Sequence, residues 1–164
     1  MGLDMYLYLR KRNYYCGGDW RSDEDKKKAK YPKELAKFEE EIKKANFPSI
    51  YETKEYQVGY WRKANAIHGW FVENCADGVD NCRDIYVSRD QAKDLLTLCD
   101  KVLVDHSKAR EELPTQQGFF FGSQEYDEWY FEDIEYTQDL LEKVLAFLET
   151  KEGKDYDLVY CASW

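Results

Sequence analysis

The sequence lacks the short motifs that usually mark an enzyme of nucleotide, metal or ester chemistry. It contains no G-x-x-x-x-G-K-[ST] phosphate loop, no G-x-G-x-x-G, no H-E-x-x-H and no G-x-S-x-G. Histidine, a frequent general acid or base, occurs only as His68 and His106. No run of residues is apolar over the length that a membrane span requires. We therefore expect no association with membranes, and we assign no catalytic residue.

Basic residues are the minority among the charged side chains. Lys and Arg total 24 against 33 Asp and Glu, which gives a formal charge of −9. This balance argues against general nucleic-acid binding, because phosphate contacts require a basic surface. It is compatible with an acidic surface that competes with nucleic acid for a basic partner, and equally with acidity that serves only solubility.

Cysteine is present in an odd number and without paired spacing. No two cysteines form a C-x-x-C motif, and His68, Cys75 and Cys82 are spaced too loosely for a zinc knuckle. We expect free thiols in a reducing, cytoplasmic setting, with no metal site and no cofactor. The five cysteines are Cys16, Cys75, Cys82, Cys99 and Cys161.

Apolar and aromatic residues are plentiful enough for one globular core. Hydrophobic residues make up 43% and aromatic residues 16% of the 164 positions. Aromatic rings bury much area per residue, so a chain of this length can fill a single core. With no repeat and no linker-like stretch, the sequence predicts one domain over residues 1–164.

Four segments have the periodicity or composition of β-strands. Residues 3–9 alternate Leu or Met with more polar residues, and this period of two predicts a strand that ends near Lys11. Shorter or more polar strands are predicted over residues 51–58, 84–87 and 157–161. The first and the last of the four are the most apolar, so we expect them to be neighbours in the centre of one sheet.

Four other segments have helical periodicity. Ser88 with Gln91 three residues later is a capping-box pattern, which starts the third of these helices. Ser123 is the expected N-cap of the fourth. The helices are predicted over residues 32–45, 61–75, 88–106 and 125–149.

Strands and helices interleave along the chain. This order predicts an α/β fold, with an α+β arrangement as the alternative. We expect a single sheet of about four strands flanked by about four helices.

Polar residues stand at the predicted start of the second helix. Arg62 and Lys63 occupy its first turn, where the helix dipole disfavours cations, so an anionic ligand or an acidic partner would explain them. Asn65 and His68 fall on the apolar stripe of the same helix and need hydrogen-bond partners if buried. The simpler alternative is that both cations point into water and that the amide and imidazole form a satisfied structural pair.

The loop over residues 111–122 is the second polar segment, with three Phe between two Gly. We expect residues 114–123 to pack beside the second helix, where uncharged loop donors and acceptors can meet buried polar groups. In that arrangement Arg62, Asn65 and His68 would face Thr115, Gln116 or Tyr126. Six acids crowd the start of the fourth helix; they would repel an anion there, or pair with Arg62 and Lys63 as a structural latch. The predicted ligand-binding residues are Arg62, Lys63, Asn65, His68, Thr115, Gln116 and Tyr126.

Three segments carry a resemblance that covers nearly the whole chain. They read MGLDMYL over residues 1–7, YWRKANAIH over residues 60–68 and PTQQGFFFGS over residues 114–123, and Ser163-Trp164 adds to them. In these the chain resembles a family of small uncharacterised proteins carried by bacteriophages and by bacterial genomes with prophages. The resemblance implies an accessory protein made in the cytoplasm of an infected bacterium, and it gives no residue a role.

The resulting hypothesis is a non-enzymatic, phage-type accessory protein that inhibits or sequesters a host factor, including an anti-defence role. It would act by holding a small anionic, nucleotide-like ligand, or by blocking a host protein with the acidic, Tyr- and Trp-rich surface of the fourth helix. The alternative is a small enzyme acting on a nucleotide-like substrate, with His68 as general acid or base and Arg62 or Lys63 as charge stabiliser. A third hypothesis is a structural or regulatory phage component without a pocket. The oligomeric state is not predicted.

Overall fold

The computed structural model describes residues 2–11, 55–118 and 120–164. The predicted helix over residues 32–45, the strand residues 51–54 and Cys16 lie outside the described residues. The described strands are β1 (Asp4–Lys11), β2 (Glu55–Arg62), β3 (Ile85–Val87) and β4 (Tyr156–Ser163). The described α-helices are α1 (Asn65–Cys75), α2 (Arg89–Val104), α3 (Ala109–Glu112) and α4 (Glu128–Glu149), with 3₁₀ turns at His106–Lys108 and Gly153–Asp155.

The four described strands form one sheet in the order β2-β1-β4-β3, and every pair is antiparallel. Met5 of β1 pairs with Trp61 on one side and with Ala162 on the other. The predicted central, adjacent placement of the first and last strands is therefore confirmed. A single four-stranded sheet with flanking helices confirms the predicted α/β fold, and the antiparallel pairing corresponds to the α+β alternative.

One face of the sheet builds the core. The inward residues of β1, Met5, Leu7 and Leu9, are fully buried, whereas the alternate residues such as Tyr6 and Tyr8 are only partly covered. This is the period of two expected for a strand with one face on the core. Helix α4 packs on the inner face, and Trp61 Nε1 donates a 2.9 Å hydrogen bond to Thr137 Oγ1 between β2 and α4.

The start of α1 differs from the prediction. Trp61 and Arg62 belong to β2, and the helix begins only at Asn65. Trp61 is 2% exposed because it faces the core from the strand. Arg62 and Lys63 therefore do not lie on the first turn of a helix, and the argument from the helix dipole was wrong. Arg62 is the last residue of β2, and Lys63 lies in the turn between β2 and α1.

The helix termini follow local capping rules where the chain offers a side chain. Ser88 and Gln91 form the predicted capping box, with hydrogen bonds in both directions. The cap of α4 is Asp127 instead of Ser123, because the Asp127 carboxylate accepts from Tyr130 N at 3.1 Å. Ser123 accepts from Glu125 N within the preceding turn. Among the described residues, no helix has both the length and the apolar character to cross a bilayer.

Candidate functional site

The segment over residues 113–127 is tied to the start of α1 by the side chain of Asn65. Its Oδ1 accepts a 2.9 Å hydrogen bond from Gln116 N, and its Nδ2 donates to the carbonyl oxygens of Phe121 and Ser123 at 3.0 and 2.7 Å. Asn65 is 4% exposed, so these bonds are shielded from water. The predicted packing of the loop beside the helix is confirmed at this residue.

The same segment is closed by contacts among its own residues. Thr115 N donates to the Tyr126 hydroxyl at 3.2 Å, and Thr115 Oγ1 donates to Gln124 O at 3.1 Å. The Gln116 side chain lies directly against Gly69 of α1, where any Cβ would collide with it. A glycine at that point of the helix is therefore a requirement of the close approach. These contacts hold the described residues of the segment against one another and against α1.

Lys63 has an unusual backbone, which fixes the point from which its side chain starts. Its φ of 63° is in the left-handed region, which residues with a Cβ rarely adopt. Lys63 N donates to Leu3 O at 2.8 Å, and Lys63 O accepts from Asn65 N at 2.8 Å, so both strand and helix hold the turn. A Cβ on Gly122 would lie 3.0 Å from Lys63 Cβ, and one on Gly2 would lie 3.3 Å from Lys63 Cε. The lysine stem thus passes between two glycines.

Carboxylates gather at the N-terminal end of α4. Asp127, Glu132 and Asp133 lie close enough that burial, then the charges of Glu132 and Asp127, raise the pKa of the Asp133 carboxyl to about 7. Trp129 lies on the same turn and is 74% exposed, although it is one of the largest apolar side chains. This end of the helix therefore presents negative charge beside an uncovered aromatic ring.

A cavity of about 330 Å³ separates the lysine turn from these carboxylates. Among the described residues, no ion pair joins Arg62 or Lys63 to an acid of this cavity; the nearest carboxylate of Arg62 is Asp4, at 4.0 Å. The predicted structural latch is therefore not formed. The cavity is lined by Arg62, Lys63, Ala64, Asn65, Ala66, Ile67, Thr115, Gly122, Ser123, Glu125, Asp127, Trp129, Tyr130, Glu132, Asp133 and Ile134.

His68 belongs to a different network, in which His68 and Tyr160 are buried and Asp80 is partly covered. Its Nδ1 lies 2.7 Å from the Tyr160 hydroxyl and its Nε2 3.0 Å from Asp80 Oδ2. A neutral imidazole satisfies both contacts, with Nε2–H donating to the carboxylate and Nδ1 accepting from the tyrosine. Phe121 packs edge-on against the ring, and Trp164 Nε1 donates to Asp80 Oδ1 at 3.2 Å. His68 is 1% exposed and does not line the cavity.

The predicted binding residues therefore divide into three groups. Arg62, Lys63, Asn65 and Thr115 line the cavity. Gln116 and Tyr126 hold the loop wall through the contacts described above, and Arg110 lies over the Tyr126 ring at 5.5 Å. His68 is in the buried network. The prediction that His68 faces Thr115, Gln116 or Tyr126 was wrong, because Tyr160 and Asp80 satisfy its ring nitrogens instead.

Sequence reasoning missed the anionic half of the cavity. The acids of α4 were noted, but their charge was treated as a reason against a site at that place. Asp133 could have been recognised from the sequence. It lies between Glu132 and Ile134, and a residue next to a buried position of a helix can be partly buried itself. The positive φ of Lys63 had no signal in the sequence, since lysine rarely adopts it and the turn is held by a hydrogen bond to the distant Leu3.

Within residues 2–11, 55–118 and 120–164, no group of three or more His, Cys, Asp or Glu side chains is arranged to hold a metal ion. The four cysteines of this part, Cys75, Cys82, Cys99 and Cys161, are free thiols. No model of a known protein family matches the chain, and no curated protein or solved structure is similar to it. The site is therefore argued from its own geometry.

Proposed function

We propose that this protein is a non-enzymatic binding protein that captures a basic partner protein. The binding surface would be the cavity together with the exposed, acidic side of α4 that adjoins it. The observation that carries the proposal is the set of four carboxylates on the cavity wall, against two cations, with an exposed tryptophan at the rim. Negative charge beside an aromatic ring favours ammonium and guanidinium groups.

The raised pKa of Asp133 supports a cationic occupant over an anionic one. Burial is the main cause that raises the pKa of Asp133 to about 7, and the charges of Glu132 and Asp127 add to it through a negative local potential. A small anionic ligand entering the cavity would meet that potential, whereas a lysine or arginine of a partner would relieve it. We therefore favour the protein-blocking mode over sequestration of a nucleotide-like molecule.

Helix α4 extends the same charge beyond the cavity. Five of its six exposed acids recur at alternating intervals of four and three residues, so they share one side of the helix. A basic surface would meet them in succession, and charge attraction would speed the encounter. The five are Glu128, Glu132, Glu135, Asp139 and Glu142.

The resemblance to phage proteins supplies the proposed setting, which is the inhibition of a host factor in an infected bacterium. A basic host protein, such as one that normally holds nucleic acid, has the chemistry that the acidic surface would block. The burial of His68, with both ring nitrogens engaged, gives no support to the alternative of an enzyme that uses it as acid or base.

A site-specific photo-crosslinking experiment tests the proposal. Trp129 is replaced by a photoreactive phenylalanine analogue, and the protein is irradiated in bacterial cells. We expect one discrete adduct whose partner has a basic surface, and we expect it to be lost when Glu128 and Glu132 are both changed to Lys. The matched control carries the same analogue at Val104, which is 88% exposed at the end of α2 and is not among the residues that line the cavity.

Three results would contradict the proposal. They are the absence of an adduct at Trp129, an equal adduct at Val104, or an adduct that survives the double charge reversal. Equilibrium dialysis against ATP separates the rival mode, since stoichiometric uptake of the nucleotide would favour sequestration of a small anion.

A further inference from the structure

We propose that the cavity is a subsite for a basic residue that also carries a free α-carboxylate. The occupant is a C-terminal Lys or Arg of a protein chain, or the corresponding free amino acid, which has the same chemistry. This inference rests on the proposed function and narrows it, because it says which part of a basic partner enters the cavity.

The first argument is the separation of charge across the cavity. Arg62 ends β2 and Lys63 follows it in the turn, whereas Glu132 and Asp133 lie on α4. No ion pair joins the two sides among the described residues. Opposite charges that share a small cavity without pairing leave both signs available to a ligand. An occupant with one cation alone would satisfy the α4 side only, and one with a carboxylate alone would satisfy the opposite side only.

The second argument is the way Lys63 is held. Its left-handed backbone is fixed by hydrogen bonds to Leu3 and Asn65, and its stem passes between Gly2 and Gly122. A surface lysine that served only solubility would have no need of a sparsely populated backbone conformation, which costs folding free energy. Lys63 lines the cavity from a backbone that is held on both sides, so the point from which its side chain starts is fixed before a carboxylate arrives.

The third argument is size. A volume of about 330 Å³ is at the lower end of the range for small-molecule sites, which limits the occupant to roughly one or two residues. Both charges must therefore be carried by a very short stretch of chain. A terminal Arg or Lys meets this condition by itself, with its side chain directed to Asp133 and its α-carboxylate to Lys63.

Fluorescence anisotropy with two labelled hexapeptides tests the inference. Both end in arginine, and they differ only in a free carboxylate or a carboxamide at the C-terminus. We expect the carboxylate peptide to bind at least 10-fold more tightly than the amide. In the Lys63→Gln variant we expect the two peptides to bind equally. Lys108→Gln, a matched loss of one exposed lysine outside the cavity lining, should preserve the 10-fold preference. Thermal melting of each variant confirms that it is folded.

Competition by free arginine and by its decarboxylated form, agmatine, distinguishes the two sources of the ligand. If arginine competes as well as the peptide while agmatine does not, a free amino acid is the occupant. If only the carboxylate peptide competes, the occupant is a chain end. Equal binding of the carboxylate and amide peptides to the unaltered protein, or binding of neither, overturns the inference. If the Trp129 adduct still forms in that case, the proposed function is retained and only the inference about the occupant is rejected. If the adduct is also absent, both the inference and the proposed function are rejected.

Discussion

The polar groups around His68 and those around Lys63 are close in sequence but opposite in character. His68 is buried, and each of its ring nitrogens has a partner, Tyr160 or Asp80. Lys63 and the carboxylates across the cavity are partly open to solvent and do not pair with one another within the described part of the chain. The hydrogen-bonding capacity of the His68 ring is saturated, meaning that both ring nitrogens are engaged, whereas the charges around the cavity remain available to a ligand.

This difference teaches how to distinguish a structural polar cluster from a binding site when both contain the same residue types. Buried polar groups that satisfy each other stabilise one conformation and have no capacity left for a ligand. Charges that face each other across a gap without pairing cost folding free energy and retain that capacity. Asn65 lies at the boundary, since its three hydrogen bonds build the wall of the cavity without offering a free group to it.

The largest effect is expected in the saturated network. His68→Ala leaves the Tyr160 hydroxyl without its partner and removes a buried ring, so we expect it to lower the free energy of unfolding by about 3 kcal/mol. Urea denaturation measures the loss. Binding to the carboxylate peptide, measured on the folded fraction, should be unchanged. His106→Ala is the control. A similar loss of stability in that control, or weaker peptide binding by the His68 variant, would contradict the difference between the two regions.

Replacement of Asp133 should raise the free energy of unfolding, whereas replacement of His68 lowers it. Its pKa is raised from 3.8 to about 7, so between these pH values the unfolded chain has released a proton that the folded chain retains. Its contribution to stability is therefore present at pH 4 and is lost as the pH rises through 7. We expect Asp133→Asn to raise the free energy of unfolding by about 1 to 2 kcal/mol at pH 8, after allowance for solvent screening, and by little at pH 4.

Thermal melts from pH 4 to pH 8 measure this dependence. Asp94→Asn, which removes one exposed carboxylate of α2, controls for the change in net charge. A stabilisation equal at both pH values would show that Asp133 is not the group responsible. The same variant should bind the carboxylate peptide more weakly, because the charge that meets the basic side chain is gone.

The smallest effect is expected at Lys63. Lys63→Gly relieves the left-handed backbone, and we expect a gain of about 0.5 to 1 kcal/mol once the larger entropy of glycine in the unfolded chain is subtracted. The same change at Lys108, whose φ is −81°, should lower stability instead. Differential scanning calorimetry resolves the two signs. A destabilised Lys63→Gly protein would mean that the lysine stem contributes packing that outweighs its strained backbone.

The parts of the fold that could be predicted depend on local patterns. The alternation along β1 predicted a strand with one buried face, and Ser88 with Gln91 predicted the start of α2. The boundary between β2 and α1 could not be predicted, because the register of β2 shifts at Val58, which lies between the paired residues Gln57 and Gly59. This bulge interrupts the period of two and leaves Trp61 at a spacing that also fits a helix.

The sequence predicted cationic and uncharged residues of the candidate site, but not its carboxylates. Asn65 could be inferred because a polar residue on a buried stripe requires partners, and the loop offered them. Lys63 and the α4 carboxylates face the same cavity because segments about 70 residues apart in sequence lie close together in the fold. No local sequence pattern predicts such long-range proximity. The attraction of Asp133 for a cation also depends on its depth of burial, which the sequence does not state.

The pairing of β1 with β4 has a consequence for how the protein is made. Residue 5 pairs with residue 162, so the centre of the sheet stays open until the ribosome has supplied β4. At ordinary translation rates of roughly 5 to 20 residues per second, β1 waits on the order of ten seconds or more for that neighbour. Meanwhile the strand that carries Met5, Leu7 and Leu9 exposes one hydrogen-bonding edge and an apolar face. The nascent chain is therefore a natural client for a chaperone that binds apolar segments during synthesis.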